Sequence, residues 1–186
     1  MRIAAIVVAA LLLTGCWQST GSLYPDRPSL YPFREGVVEQ RSRANPKALG
    51  RDRLTRTADG YRIANDNAKD SDFGEYSNVR FFALPGAPTD VLVFEETDPC
   101  KATDKKCTPQ NAQRNYGLVR VTRQGAAAIN PECAKHDPLG KRPGVSADGF
   151  GSCDFSSRAE LERALRALAR TSWKPDLTYR YVGLSR

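Results

Sequence analysis

NVRFFALPGAPTDVLVFE, residues 78–95, decides how this chain folds. Two apolar runs, Asn78–Leu84 and Asp90–Glu95, flank Pro85-Gly86-Ala87-Pro88. Proline and glycine at such a junction turn a chain back on itself, so the stretch reads as a strand pair. Val91-Leu92-Val93-Phe94 is the most apolar strand candidate and belongs at the centre of a sheet. The same pattern recurs on either side. Leu54–Thr57 and Tyr61–Ile63 enclose Asp59-Gly60, and Tyr116–Thr122 and Ala126–Ile129 enclose Gln124-Gly125. Gly36–Gln40 reads as one more strand, and Tyr179–Leu184 as a last one that ties down the carboxyl terminus.

One segment carries the helical period instead. Leu161, Ala164, Leu165 and Leu168 share one face, and Glu162 and Arg166 are spaced for an i,i+4 pair. Ser157 and Glu160 have capping-box spacing, and Trp173-Lys174-Pro175 ends the helix. The expected fold is α+β: a mainly antiparallel β-sheet of short hairpins with one C-terminal helix packed on it.

Residues 1–15 have a different character. Arg2 precedes an apolar run, Ile3–Leu13, that is shorter than the roughly 20 residues a membrane helix needs. A basic start, a short apolar core and small residues after it form the pattern of a secretory signal peptide. Leu13-Thr14-Gly15-Cys16 then resembles the lipobox of bacterial lipoproteins. The resemblance implies cleavage before Cys16, acylation of that cysteine, and anchoring of the mature chain by lipid. Two or more acyl chains hold a protein on a membrane, where one holds it marginally. Trp17 follows the cysteine in place of the Asp that retains enterobacterial lipoproteins at the inner membrane. By that analogy the destination is the outer membrane, facing the periplasm or the cell surface. Residues 16–35 then read as a lipidated linker, rich in Gln, Ser, Thr, Gly and Pro, with Leu30-Tyr31-Pro32-Phe33 apolar enough to dock on the domain. Residues 36–186 are one domain.

The cysteines fit an exported chain. Beyond Cys16 there remain Cys100, Cys107, Cys133 and Cys153, an even number that reads as two disulfides. Of the three connectivities, Cys100–Cys107 and Cys133–Cys153 each brace one turn-rich loop, 97–115 and 130–153. Their closure stabilises by about 2.5 and 3.3 kcal/mol in the loop-entropy picture. A metal site is disfavoured: His136 is the only histidine, and no Cys-x2-Cys pair exists. Asp66–Asp72 has Lys69 in its middle and lacks the spacing of a calcium loop. No cofactor is expected other than the covalent lipid.

The chain has a net charge of +7, or +6 once Arg2 leaves with the signal peptide. Arg34, Arg41, Arg43, Lys47, Arg51, Arg53 and Arg56 are its densest basic stretch, interleaved with Glu35, Glu39 and Asp52. That suits a solvated face or contact with an anionic envelope component. It does not suit nucleic acid, for which no aromatic-interleaved basic motif is present. No nucleophile elbow, zinc-protease helix or phosphate loop occurs, and no catalytic residue can be named. Glu95 and Glu96 are adjacent, so on a strand they point to opposite faces. Ser157–Leu165 resembles, over nine residues, the helix of OmpA-like peptidoglycan-binding domains, but the Asp-bearing segment expected upstream is not recognisable and no binding residue is carried over. The expected function is a non-enzymatic binding or structural module of the bacterial envelope, attached to the membrane by its lipid and meeting a protein or anionic partner. The alternatives are an inhibitor of a cell-wall hydrolase, inserting loop 97–115 or 131–153 into the enzyme, and an accessory subunit of an envelope assembly or secretion machine.

Overall fold

The computed structural model describes residues 17–46, 49–65, 76–97, 106–133, 142–147 and 151–183. The signal peptide, Cys16, Lys47, the acidic loop 66–72, Cys100 and His136 lie outside the described residues.

Seven strands follow one another as an antiparallel meander: β2 (Gly36–Ser42), β3 (Leu49–Thr57), β4 (Gly60–Asn65), β5 (Tyr76–Ala83), β6 (Val91–Thr97), β7 (Gln113–Thr122) and β8 (Gly125–Ile129). The last strand, β11 (Leu177–Gly183), inserts between β8 and β2 and is antiparallel to both. The ring closes as an eight-strand β-barrel. The expected antiparallel sheet with one helix is therefore present, but it has no free edge in this part of the molecule. The closing pairs join residues far apart in the chain, such as Tyr181 with Val38, and no local turn signal encodes them. The helix, α1 (Arg158–Ala169), carries the expected apolar face, with Leu161, Ala164 and Leu165 buried. Its capping box does not form: Ser157 makes no side-chain cap bond, and Glu160 instead pairs with Arg163 at 2.9 Å. Glu162 and Arg166 do pair, at 3.5 Å.

β7 uses one of its edges twice. Leu118–Thr122 pair with β8, whereas Gln113–Tyr116 pair with β1 (Trp17–Thr20). β1 also runs parallel to β10 (Cys153–Phe155), which pairs with β9 (Val145–Ala147). Residues 17–33 are thus built into the fold rather than forming a spacer. Trp17 is buried, Tyr24 is fully buried and stacks on Phe82 at 4.4 Å, and Leu30 N donates to Phe81 O at 2.7 Å. The composition was misleading here because the Ser19, Ser22 and Ser29 side chains find partners inside the protein.

Two apolar cores result, one on each side of the barrel wall. Inside lie Leu54, Tyr61, Val79, Phe81, Leu92, Phe94, Val119, Ala126 and Ala128, with Phe33 inserted from the amino-terminal segment. Outside, under α1, lie Trp17, Tyr24, Phe82, Val91, Val93, Tyr116, Leu118, Phe155, Leu161 and Leu165. β6 serves both: Leu92 and Phe94 point in, and Val91 and Val93 point out. A strand buried on both faces must be apolar at consecutive positions, which explains the Val91–Phe94 run. Gly117 allows the wall to curve. A Cβ there would meet Ile129 O at 2.2 Å and the Phe94 ring at 2.6 Å.

The disulfide Cys133–Cys153 links the end of β8 to β10 across a separation of 20 residues. Cys107 is also disulfide-bonded. The outer faces of β2, β3 and β4 carry Glu39, Arg41, Arg51, Arg53 and Arg62, with Arg51 paired to Glu39 at 3.4 Å. A lipid-facing wall carries an apolar band, and these positions carry charge instead. No helix among the described residues is long and apolar enough to cross a membrane.

Candidate functional site in the barrel interior

An eight-stranded barrel is just wide enough to be filled by side chains or to hold one small ligand. Here the filling is incomplete. Small residues, Gly125, Ala126 and Ala128, stand on one wall opposite Phe33, Phe81 and Phe94, and a cavity of about 80 Å³ lies among them. The lining is mainly apolar, with Val38, Leu54, Ile63, Val79, Val119 and Leu177 completing the walls, and Glu96, Asn130, Tyr179 and Tyr181 adding polar atoms.

The two ends of this interior differ. One end is that of the Ala58–Asp59 and Arg123–Gln124 turns, and an aromatic plug closes it. Phe33 meets Phe81 edge-on at 5.1 Å, and Tyr61 meets Phe81 at 5.6 Å. Phe33 N donates to the Tyr61 hydroxyl at 2.9 Å, and that hydroxyl donates to Phe33 O at 2.6 Å. Arg56 Nη2 donates to the same carbonyl at 2.9 Å. A backbone segment crossing a barrel mouth must satisfy its peptide groups, and Tyr61 and Arg56 do this for Phe33. Burial pushes the Tyr61 phenol above its ordinary pKa, so the hydroxyl keeps the proton it donates.

Inward-facing carboxylates gather at the other end, with Tyr179. Glu96 stands opposite Val79 and Asn115 in the register, Tyr179 opposite Ala126 and Gln40, and Asp52 opposite Val38. Asn130 N donates to Asp176 Oδ2 at 3.1 Å, and Asp176 N donates to Ala128 O at 2.9 Å, which fixes the rim. Burial, and then the charges of Glu96 and Asp52, push the Tyr179 phenol well above its ordinary pKa. It therefore remains a hydrogen-bond donor at all physiological pH values. The interior can sort a guest by polarity, taking its apolar part toward the Phe33 plug and its polar part toward Tyr179 and Glu96.

The sequence placed Glu95 and Glu96 on opposite faces of one strand, and they serve the two cores separately. Glu96 lines the cavity, while Glu95, only 1% exposed, is held outside the barrel wall. Ser22 Oγ donates to Glu95 at 2.7 Å, Tyr116 OH at 3.0 Å and Arg80 Nη1 at 3.4 Å. Arg80 also donates to the Arg27 carbonyl at 2.7 Å, so this knot fastens the amino-terminal segment to β5, β6 and β7. Sequence reasoning missed the cavity altogether. The Gly125-Ala126-Ala127-Ala128 run was its one visible signal, since small residues on a barrel wall leave space inside.

Among the described residues, no group of three His, Cys, Asp or Glu side chains is placed to hold a metal ion. Residues 98–105 of loop 97–115, and 134–141 and 148–150 of loop 131–153, lie outside the described residues. Compared with known proteins, the chain matches no family model, no curated protein and no solved structure.

Proposed function

We propose that this protein is a lipid-anchored envelope module, attached through Cys16 at the outer membrane, and that its barrel binds one small amphiphilic ligand without transforming it. The observation that carries the reading is the interior cavity, apolar along its walls, sealed by Phe33 and Tyr61 at one end and bearing Tyr179 and Glu96 at the other. A mostly apolar cavity with a few convergent polar groups is the usual form of a small-molecule site. Its size limits the buried part of the guest to a short chain, because it is about half that of an engineered cavity of about 150 Å³ that takes up benzene. The exposed arginines on β2 and β3 add a basic outer face suited to an anionic envelope surface.

Calorimetric titration of the purified protein with 1-butanol tests the site. Saturable binding with a negative heat-capacity change is expected, since apolar surface is buried. Absence of saturable binding by 1-butanol and by other short alkyl alcohols would remove this reading. Intact mass of the membrane-extracted protein tests the anchor: a chain starting at Cys16 with diacylglycerol and acyl additions is expected, and an unmodified amino terminus would contradict it.

A further inference from the structure

A lipid anchor ordinarily reaches its domain through a flexible spacer. Here the chain is fixed from the first residue after the cysteine. Trp17 is only 5% exposed, and its ring packs against Phe155 at 5.5 Å. In the sheet it stands between Tyr116 of β7 and Cys153 of β10. Cys153 is tied by its disulfide to Cys133, so the strand beside Trp17 is itself braced. Ser19 Oγ, within the same strand, donates to Gly21 O at 2.6 Å and shares a 3.0 Å hydrogen bond with Tyr116 OH. Gly21 N donates to Ala112 O at 3.0 Å. The Glu95 knot then holds Ser22 and the Arg27 carbonyl. No stretch from Trp17 to Phe33 is left over to act as a tether.

We infer that the lipidated protein lies flush on the bilayer, with the flank where β7 exchanges β1 for β8 against the membrane. This rests on lipidation of Cys16. Consecutive Cα atoms are about 3.8 Å apart, so a lipidated Cys16 brings the Trp17 backbone to the membrane surface whatever path the cysteine itself takes. The surface that meets lipid is the one around Trp17, Cys133 and Gly151–Cys153. The domain would have to lose β1 in order to stand away from the membrane, because releasing a spacer means breaking its pairing with both β7 and β10.

The test uses the full mature chain, with Trp173→Phe so that Trp17 is the only indole, in vesicles of phosphatidylcholine brominated near the head of the acyl chain. A second protein carries a spacer of about twenty Gly/Ser residues between Cys16 and Trp17, which spans about 25 Å as a random coil. Intact mass confirms lipidation of each, and near-ultraviolet circular dichroism confirms the fold. Bromine quenching of Trp17 in the direct chain, falling to less than half with the spacer, is the expected result. Equal quenching in two lipidated proteins, or none in either, would overturn flush attachment and leave the anchor standing. Absence of lipid on Cys16 would overturn both.

Discussion

The two sides of the barrel wall solve opposite problems with the same three strands. Outside, under α1, the core is crowded, and its one buried carboxylate, Glu95, is met by Ser22, Tyr116 and Arg80. Inside, the corresponding carboxylate, Glu96, borders a space that Gly125, Ala126 and Ala128 leave unfilled. The outer core spends its polar groups on holding the amino-terminal segment in place. The inner core keeps polar groups at one end of a cavity, where a guest can use them. Under the proposed function, adjacent residues of one strand, Glu95 and Glu96, separate a structural duty from a binding one.

That separation can be broken most severely at Arg80. Arg80→Ala leaves Glu95 buried without its cation, and removing one partner of a buried pair costs about 3–5 kcal/mol. Urea unfolding should show that loss, whereas the isosteric Glu96→Gln, which keeps the side chain's packing, should change stability less and act on ligand binding. Equal destabilisation by the two variants would erase the distinction. Replacing both Cys133 and Cys153 by Ser comes next, at about 3 kcal/mol from the loop they close. It should loosen β10 and β1 before the barrel, visible as faster amide exchange at Gln18 than at Val93. Ser22→Ala removes one donor from Glu95 and should cost about 2 kcal/mol in the same unfolding assay.

The phenols give a pH signature. Burial raises Tyr24, Tyr116 and Tyr179 above the ordinary value of 10.0. The unfolded chain ionises its tyrosines near pH 10, whereas the folded chain holds these three neutral. The folded state therefore binds more protons above pH 10, and the stability these phenols confer is full below that pH and lost as pH rises past it. Alkaline unfolding monitored by tyrosinate absorbance should be cooperative; independent titration of these residues at pH 10 in a folded protein would contradict their burial. The smallest effect on stability is expected from Ala128→Val, which adds methyl groups to empty space and should shift it by less than about 1 kcal/mol.

Much of the wall was legible because local chemistry writes it. Val91–Phe94 reads as a central strand, and the hairpins around Asp59-Gly60 and Gln124-Gly125 form where the sequence puts them. Closure was not legible, because it depends on β11 meeting β2 and β8, and nothing in Leu177–Gly183 names its neighbours. The amino-terminal segment was misread for a related reason. Gly, Ser and Pro resemble a linker by composition, and only the positions of Glu95, Tyr116 and Arg80 reveal that buried Ser19 and half-buried Ser22 are hydrogen-bond partners. The cavity escaped because a run of alanines signals space only once the residues opposite are known.

Binding in the interior is tested most directly by parallel titration of the native protein and Ala128→Val with 1-butanol, with ligand-induced shifts of the Phe33, Phe94 and Ala126 resonances recorded for the native protein. Saturable binding that moves those three resonances is expected, with its loss in a variant of unchanged fold and stability. Equal binding by both proteins, or shifts confined to residues outside the barrel, would contradict a binding site in the interior.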